Sequence, residues 1–83
     1  MTDFAIVTII DKNNVSLGDF ELPLKVTVGE LSKKMVRFLK AKDAAQYMYL
    51  SQLNFAYKDR VLKEDETLYE NAVWDGSYLK ILF

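Results

Sequence analysis

The sequence contains neither cysteine nor histidine. Without cysteine there are no disulfides and no thiolate metal sites. Without histidine the one side chain that titrates near neutrality unaided is missing, and most nucleophilic triads, Cys-His pairs and zinc sites go with it. A carboxylate- or lysine-based enzyme remains formally open. Glycine (3) and proline (1) are scarce, which sets the chain apart from low-complexity or disordered compositions. Neither charge sign dominates: 11 Lys and Arg face 12 Asp and Glu, for a net charge of -1. Nucleic acid as the main ligand calls for a basic excess or a strong basic patch, so this balance argues against it. No stretch approaches the ~18 apolar residues of a membrane-spanning helix. The opening "MTDFAIVTII" carries an acid where a secretory signal is basic. The expectation is a soluble, cytoplasmic protein with no membrane span.

What is present is a core. Half of the 83 residues are apolar, including five Phe, five Tyr and one Trp. One small domain spanning residues 1–83 is expected, with its stability resting on packing alone. "FAIVTII", Phe4 to Ile10, is apolar and β-branched and reads as a strand. The turn cluster "DKNN" follows, then alternation from Val15 to Leu24, so the two strands predict a hairpin. Gly18 suggests a bulge and Pro23 an edge or a strand end. In "TVGELSKKMVRFLKAKD" the period changes. Thr27 and Glu30 fit a capping box, and Val28, Leu31, Met35, Phe38 and Leu39 form one apolar stripe. The spacing predicts a helix over 28–41. Residues 44–52 follow no clear period. "LNFAY" reads as a strand, Lys58-Asp59-Arg60 as a turn and Val61-Leu62 as a very short strand. Thr67 to Asn71 suits a capped turn, Asp75-Gly76 a turn, and Tyr78 to Phe83 a last strand with Leu79, Ile81 and Phe83 facing the core.

The order is strand, strand, helix, strand, short strand, strand, with the helix stripe lying across one face of a mixed sheet. A last strand this apolar suits a central place beside the first. The expected fold class is α+β, a ubiquitin-like β-grasp of four to five strands with one main helix. The segment "LNFAYKDRVLKEDETLYENAVWDGSYLKIL" is similar in layout to the second half of ubiquitin. With the hairpin "YKDRVL", the stretch "TLYENAVWDGSYLKIL" and the helix entry after "LPLKVTV", the chain resembles the YukD/EsaB family. These are small bacterial ubiquitin-like proteins that accompany WXG100 (type VII) secretion systems.

That resemblance implies a non-catalytic accessory or regulatory protein of a type VII secretion system. It would act in the cytoplasm by protein–protein binding and could be recruited to the membrane complex. The expected partners are components of the secretion machinery, and the same surfaces could support a homodimer. No cofactor is implied. A conjugated modifier needs a flexible tail ending in Gly-Gly; the strand here runs to Phe83, so attachment to a target is not expected. A generic ubiquitin-like adaptor in another complex is the alternative, and a small carboxylate-dependent enzyme the alternative of a different class.

Ubiquitin's apolar partner patch meets Asn54 here, which weakens it. Several residues could form another interaction surface. Tyr47 and Tyr49 in "QYMYLSQ" either contact a partner or cover the open end of the core. Trp74, beside Asp75-Gly76, is either a core cap or an exposed anchor. Leu82 lies with Lys80 on the outward face of the last strand. Lys33 and Arg37 belong to a basic helix face that would meet an acidic partner or an anionic surface, although such faces are commonly just solvated. Glu64-Asp65-Glu66 lacks the alternating oxygen ligands and glycine turn of a cation loop.

Overall fold

The computed structural model describes residues 3–83. Its elements are β1 (Phe4–Ile10), β2 (Ser16–Pro23), α1 (Val28–Lys42), β3 (Asn54–Tyr57), β4 (Arg60–Val61) and β5 (Tyr78–Leu82). They form one five-stranded sheet in the order β2-β1-β5-β3-β4. β1 and β2 form the antiparallel hairpin. β5 enters the centre parallel to β1 and antiparallel to β3. Pro23 ends β2, an edge strand, where its missing N–H leaves no ladder bond unmade. The bulge near Gly18 is also present. Ile9 faces Gly18 but Ile10 faces Ser16, so Leu17 is extra, and Gly18 takes φ +123°.

One face of the sheet carries the core. Ala5, Val7 and Ile9 of β1, Leu22 of β2, Phe55 of β3, and Leu79 and Ile81 of β5 are buried against α1. From the helix come Val28, Leu31, Met35, Val36 and Leu39. This stripe differs from the expected one in a single member. Val36 is buried, and Phe38 sits at the rim, its ring edge-on to Phe20 at 5.0 Å. The helix is rolled slightly toward Val36, and the large ring closes the seam between α1 and β2.

Both helix ends are tied down. Thr27 Oγ1 accepts from the Glu30 N–H. The Val28 and Gly29 N–H groups donate to the carbonyls of Glu66 and Glu64 at 2.7 and 2.9 Å. Gly29 lets that loop approach, since a Cβ there would lie 3.3 Å from the Glu64 carbonyl oxygen. At the other end the Asp43 N–H donates to the Leu39 carbonyl. Asp43 then starts a run of turns, its side chain accepting from the Gln46 N–H at 3.1 Å.

Two expected boundaries move. The β3–β4 turn is Lys58-Asp59 alone, with φ of 50° and 66°, the positive-φ pair of a type I′ turn. Arg60 therefore belongs to β4, opposite Tyr57, and Leu62 lies beyond it, buried. Phe83 does not fill the core beneath the helix. It is 59% exposed, one position past the last paired residue, and its ring meets Tyr47 edge-on at 6.0 Å. The capped turn at Thr67 is made in full. Thr67 Oγ1 accepts from the Glu70 N–H, and Glu70 Oε1 accepts from the Thr67 N–H. It closes with Ala72 at φ 55° and the Val73 N–H donating to Leu68, a Schellman ending built without glycine.

Candidate protein-binding surface

The turns that follow α1 lay residues 46–50 beside the end of β5. Tyr47 and Tyr49 then go opposite ways. Tyr47 is 9% exposed and packs into the core rim, whereas Tyr49 is 92% exposed. Tyr47 therefore covers the core end, and Tyr49 stands in solvent. Met48 and Phe83 are exposed next to them. A groove of about 490 Å³ runs between this segment and the strand ends, lined by Tyr47, Tyr49, Leu50, Asn54, Leu82 and Phe83 among others. Its walls are aromatic and aliphatic, with Asn54 and Gln52 supplying amides. Tyr49 has an apolar ring and a polar tip and loses little freedom when it docks, which suits a protein contact.

Three of the sequence-derived candidates, Tyr47, Tyr49 and Leu82, thus meet at one groove. Lys33 lies on the adjoining one, which shares Ser51, Gln52 and Leu53 with it. Arg37 is exposed on α1 and lines neither groove. Trp74 sits before β5, at the opposite end of that strand from Phe83. It is 52% exposed, and its ring meets Tyr69 edge-on at 5.9 Å, with Lys25 over Tyr69. Phe83 and Met48 were not among the residues singled out. Asp43 with Gln46 three residues on is a capping pattern that would have placed the turn before them.

The strongest electrostatic feature lies away from this groove. Arg60 holds Glu66 through Nη1 and Nη2 at 3.3 and 3.0 Å and also donates to Asn71 Oδ1. The Lys63 N–H donates to Glu66 Oε1 at 2.7 Å. The Arg60 hydrogen bonds, then the Lys63 amide, bring the Glu66 carboxyl down from its ordinary 4.5 to about 2. Glu66 is therefore a strut between β4 and the 63–72 loop, while Glu64 and Asp65 remain exposed. Among the described residues, no cluster of three acidic side chains is placed to hold a metal. Between pH 4.5 and about 2 the unfolded chain binds a proton at this position that the folded chain does not. The stabilisation is complete above the unfolded value and lost as pH falls through the folded one. Glu66→Gln should thus destabilise the protein at neutral pH, and its stability gap to wild type should close on acidification across that window. Urea titrations at several pH values read this directly.

A mixed five-stranded sheet with one helix across one face, its first and last strands parallel at the centre, defines a ubiquitin-like β-grasp protein. Residues 4–81 match the family model described as "WXG100 protein secretion system (Wss), protein YukD". The chain belongs to the YukD family. No curated protein matches it. Among solved structures it is similar to the ubiquitin-like domain of the Mycobacterium tuberculosis type VII secretion system protein ECCD1, with a TM-score of 0.75 and 22% identity over 100% of both chains. It is similar also to a chain of a MycP5-free ESX-5 inner membrane complex, with a TM-score of 0.77 and 16% identity, covering 99% of this chain and 21% of that one. Caldiarchaeum subterraneum ubiquitin aligns with a TM-score of 0.61 and 23% identity over 94% of this chain and 90% of that one. Among the described residues, no helix is long and apolar enough to cross a membrane.

Proposed function

We propose that this protein is a non-catalytic accessory component of a WXG100 (type VII) secretion system, a single ubiquitin-like domain that works by binding proteins of that machinery. It acts in the cytoplasm and is recruited to the membrane complex. Membership of the YukD family supports the setting. The absence of histidine and cysteine from the sequence removes the commonest catalytic groups and supports a binding role. The observation that carries the binding reading is Tyr49, 92% exposed beside Met48 and Phe83 at the mouth of an aromatic groove. Lys33 and Arg37 supply cations nearby and on the helix for an acidic rim on the partner. Trp74, at the other end of β5, is a separate anchor.

The test is quantitative affinity capture from the native host with tagged wild-type protein and Tyr49→Ala. Truncation of a central aromatic anchor typically costs a complex ~2 kcal/mol or more, about thirtyfold in affinity. Recovery of secretion-machinery components should fall at least tenfold on that scale, with the fold intact by circular dichroism. Equal recovery of the same components by both proteins would remove this groove from the interface.

A further inference from the structure

Charge is unevenly divided along this chain. α1 holds five of its 11 basic residues and one of its 12 acidic ones, a net +4, which leaves -5 on the remainder. Helical spacing sorts the five. Lys33, Arg37 and Lys40 stand four and three residues apart and share one line along the helix, with Lys34 beside it. They lie outside the stripe of Leu31, Met35, Val36 and Leu39 that turns into the core. Lys42 leaves the group, its Nζ 6.0 Å from the centre of the Phe38 ring. Lys33, Lys34 and Arg37 are exposed and Lys40 is partly so. Among the described residues, none of these four side chains makes a hydrogen bond or an ion pair. Lys33 to Lys40 spans about 10 Å along the axis. That is one Debye length at ~0.1 M salt, so the four cations act on a ligand together.

What would cover this face differs from what fits the Tyr49 groove. Lys34, Arg37 and Lys40 line neither of the grooves described above. The large apolar neighbour on the helix, Phe38, has its ring against Phe20. Protein interfaces are built around desolvated aromatic or Arg anchors seated in pockets, and they are poor in Lys. Here three of the four cations are lysines, with nothing to key into a pocket. A row of this kind is matched by a surface that offers many mobile negative charges at once.

We propose that this face of α1 docks on an anionic lipid surface, by charge and without insertion. The proposal goes beyond the reading above, which sets Lys33 and Arg37 against an acidic protein. It does not rest on the Tyr49 groove, which is built by the turns after α1 and the strand ends. Each Lys or Arg close to an anionic bilayer adds about fivefold to binding. Four of them bring half-saturation to about 1 mM accessible lipid at low salt. The contact is therefore weak and reversible, which suits a protein recruited to a membrane complex.

Co-sedimentation of the full chain with sucrose-loaded vesicles tests this. The vesicles are phosphatidylcholine alone, or phosphatidylcholine and phosphatidylglycerol in about equal parts, at roughly 20 and 300 mM salt. The wild type should pellet with the phosphatidylglycerol vesicles at low salt and be released at high salt. It should stay in solution with phosphatidylcholine alone. Arg37→Glu should weaken binding at least about tenfold. Lys58→Glu makes the same change of net charge in the β3–β4 turn and should bind within about twofold of the wild type. Tyr49→Ala should pellet like the wild type, which separates this contact from the groove. A wild type that stays in solution with the phosphatidylglycerol vesicles overturns the proposal and leaves the face to an acidic protein. Equal losses for Arg37→Glu and Lys58→Glu, both folded by circular dichroism, overturn it too, since net charge and not this face would then govern binding. So does equal binding to both kinds of vesicle or at both salt concentrations.

Discussion

Phe55→Ala should lower the unfolding free energy by about 3–5 kcal/mol, while Phe83→Ala should cost less than about 1 kcal/mol. Both residues follow β-strand alternation in the sequence. Phe55 is fully buried at the centre of β3, opposite Ile81, where removal of the ring leaves a cavity under α1. Phe83 is more than half exposed and loses one edge-on contact with Tyr47. A domain of this size has roughly 4–12 kcal/mol in total, at about 0.05–0.15 kcal/mol per residue. The Phe55 variant is therefore expected to be largely unfolded near 37 °C if the protein lies at the lower end of that range. Paired urea denaturation curves decide the matter. Similar losses for the two variants would mean that Phe83 is core after all.

Asp75→Ala should cost about 1–3 kcal/mol, large for an exposed polar residue. The reason is where its side chain goes. β5 begins only opposite Thr8, so the first half of β1 has no strand on that side. The turn before β5 stands in for one. Asp75 Oδ1 accepts from the Ile6 N–H at 2.7 Å, the Gly76 N–H donates back to the Ile6 carbonyl at 2.9 Å, and the Ser77 carbonyl accepts from the Thr8 N–H at 2.9 Å. A carboxylate thus occupies the position of a ladder carbonyl. Asp75→Asn keeps an oxygen there and should recover more than half of the loss. If Asn and Ala cost the same, the hydrogen bond is not the source of the effect.

The elements that could be read in the sequence were those whose period and punctuation agree. β1 needed only its β-branched run, and α1 was framed by Thr27 at one end and the lysines at the other. The central place of β5 followed from its apolar content. Local pattern failed where tertiary contact chose between equals. Val36 and Phe38 lie on either side of the same helical stripe; Val36 turns inward, while Phe38 stays at the rim against Phe20, and the local pattern does not distinguish them. Lys58-Asp59 forms a positive-φ turn without the Asn-Gly signal of such turns, so β4 was displaced by one residue. At the candidate surface, the tyrosines of "QYMYLSQ" were visible as an anomaly. Their opposite burial was not, because it depends on a run of irregular turns. Phe83 could not be placed by alternation alone, since the phase of a strand persists on paper past the point where its partner strand stops.

The parallel pairing at the centre of the sheet also sets the order in which this fold can assemble. Thr8 pairs with Tyr78, 70 residues further on, and Ile9 with Leu79. Loop closure on that scale is slow, so the hairpin and helix are expected to form first while the inner edge of "FAIVTII" waits unpaired. At about 5–20 residues per second, the ribosome needs roughly 4–14 s to deliver the strand that covers it. For that interval the nascent chain displays an apolar, β-branched edge of the kind that recruits other strands. Its fate in the cell therefore depends on what shields β1 during synthesis as well as on how stable the finished sheet is.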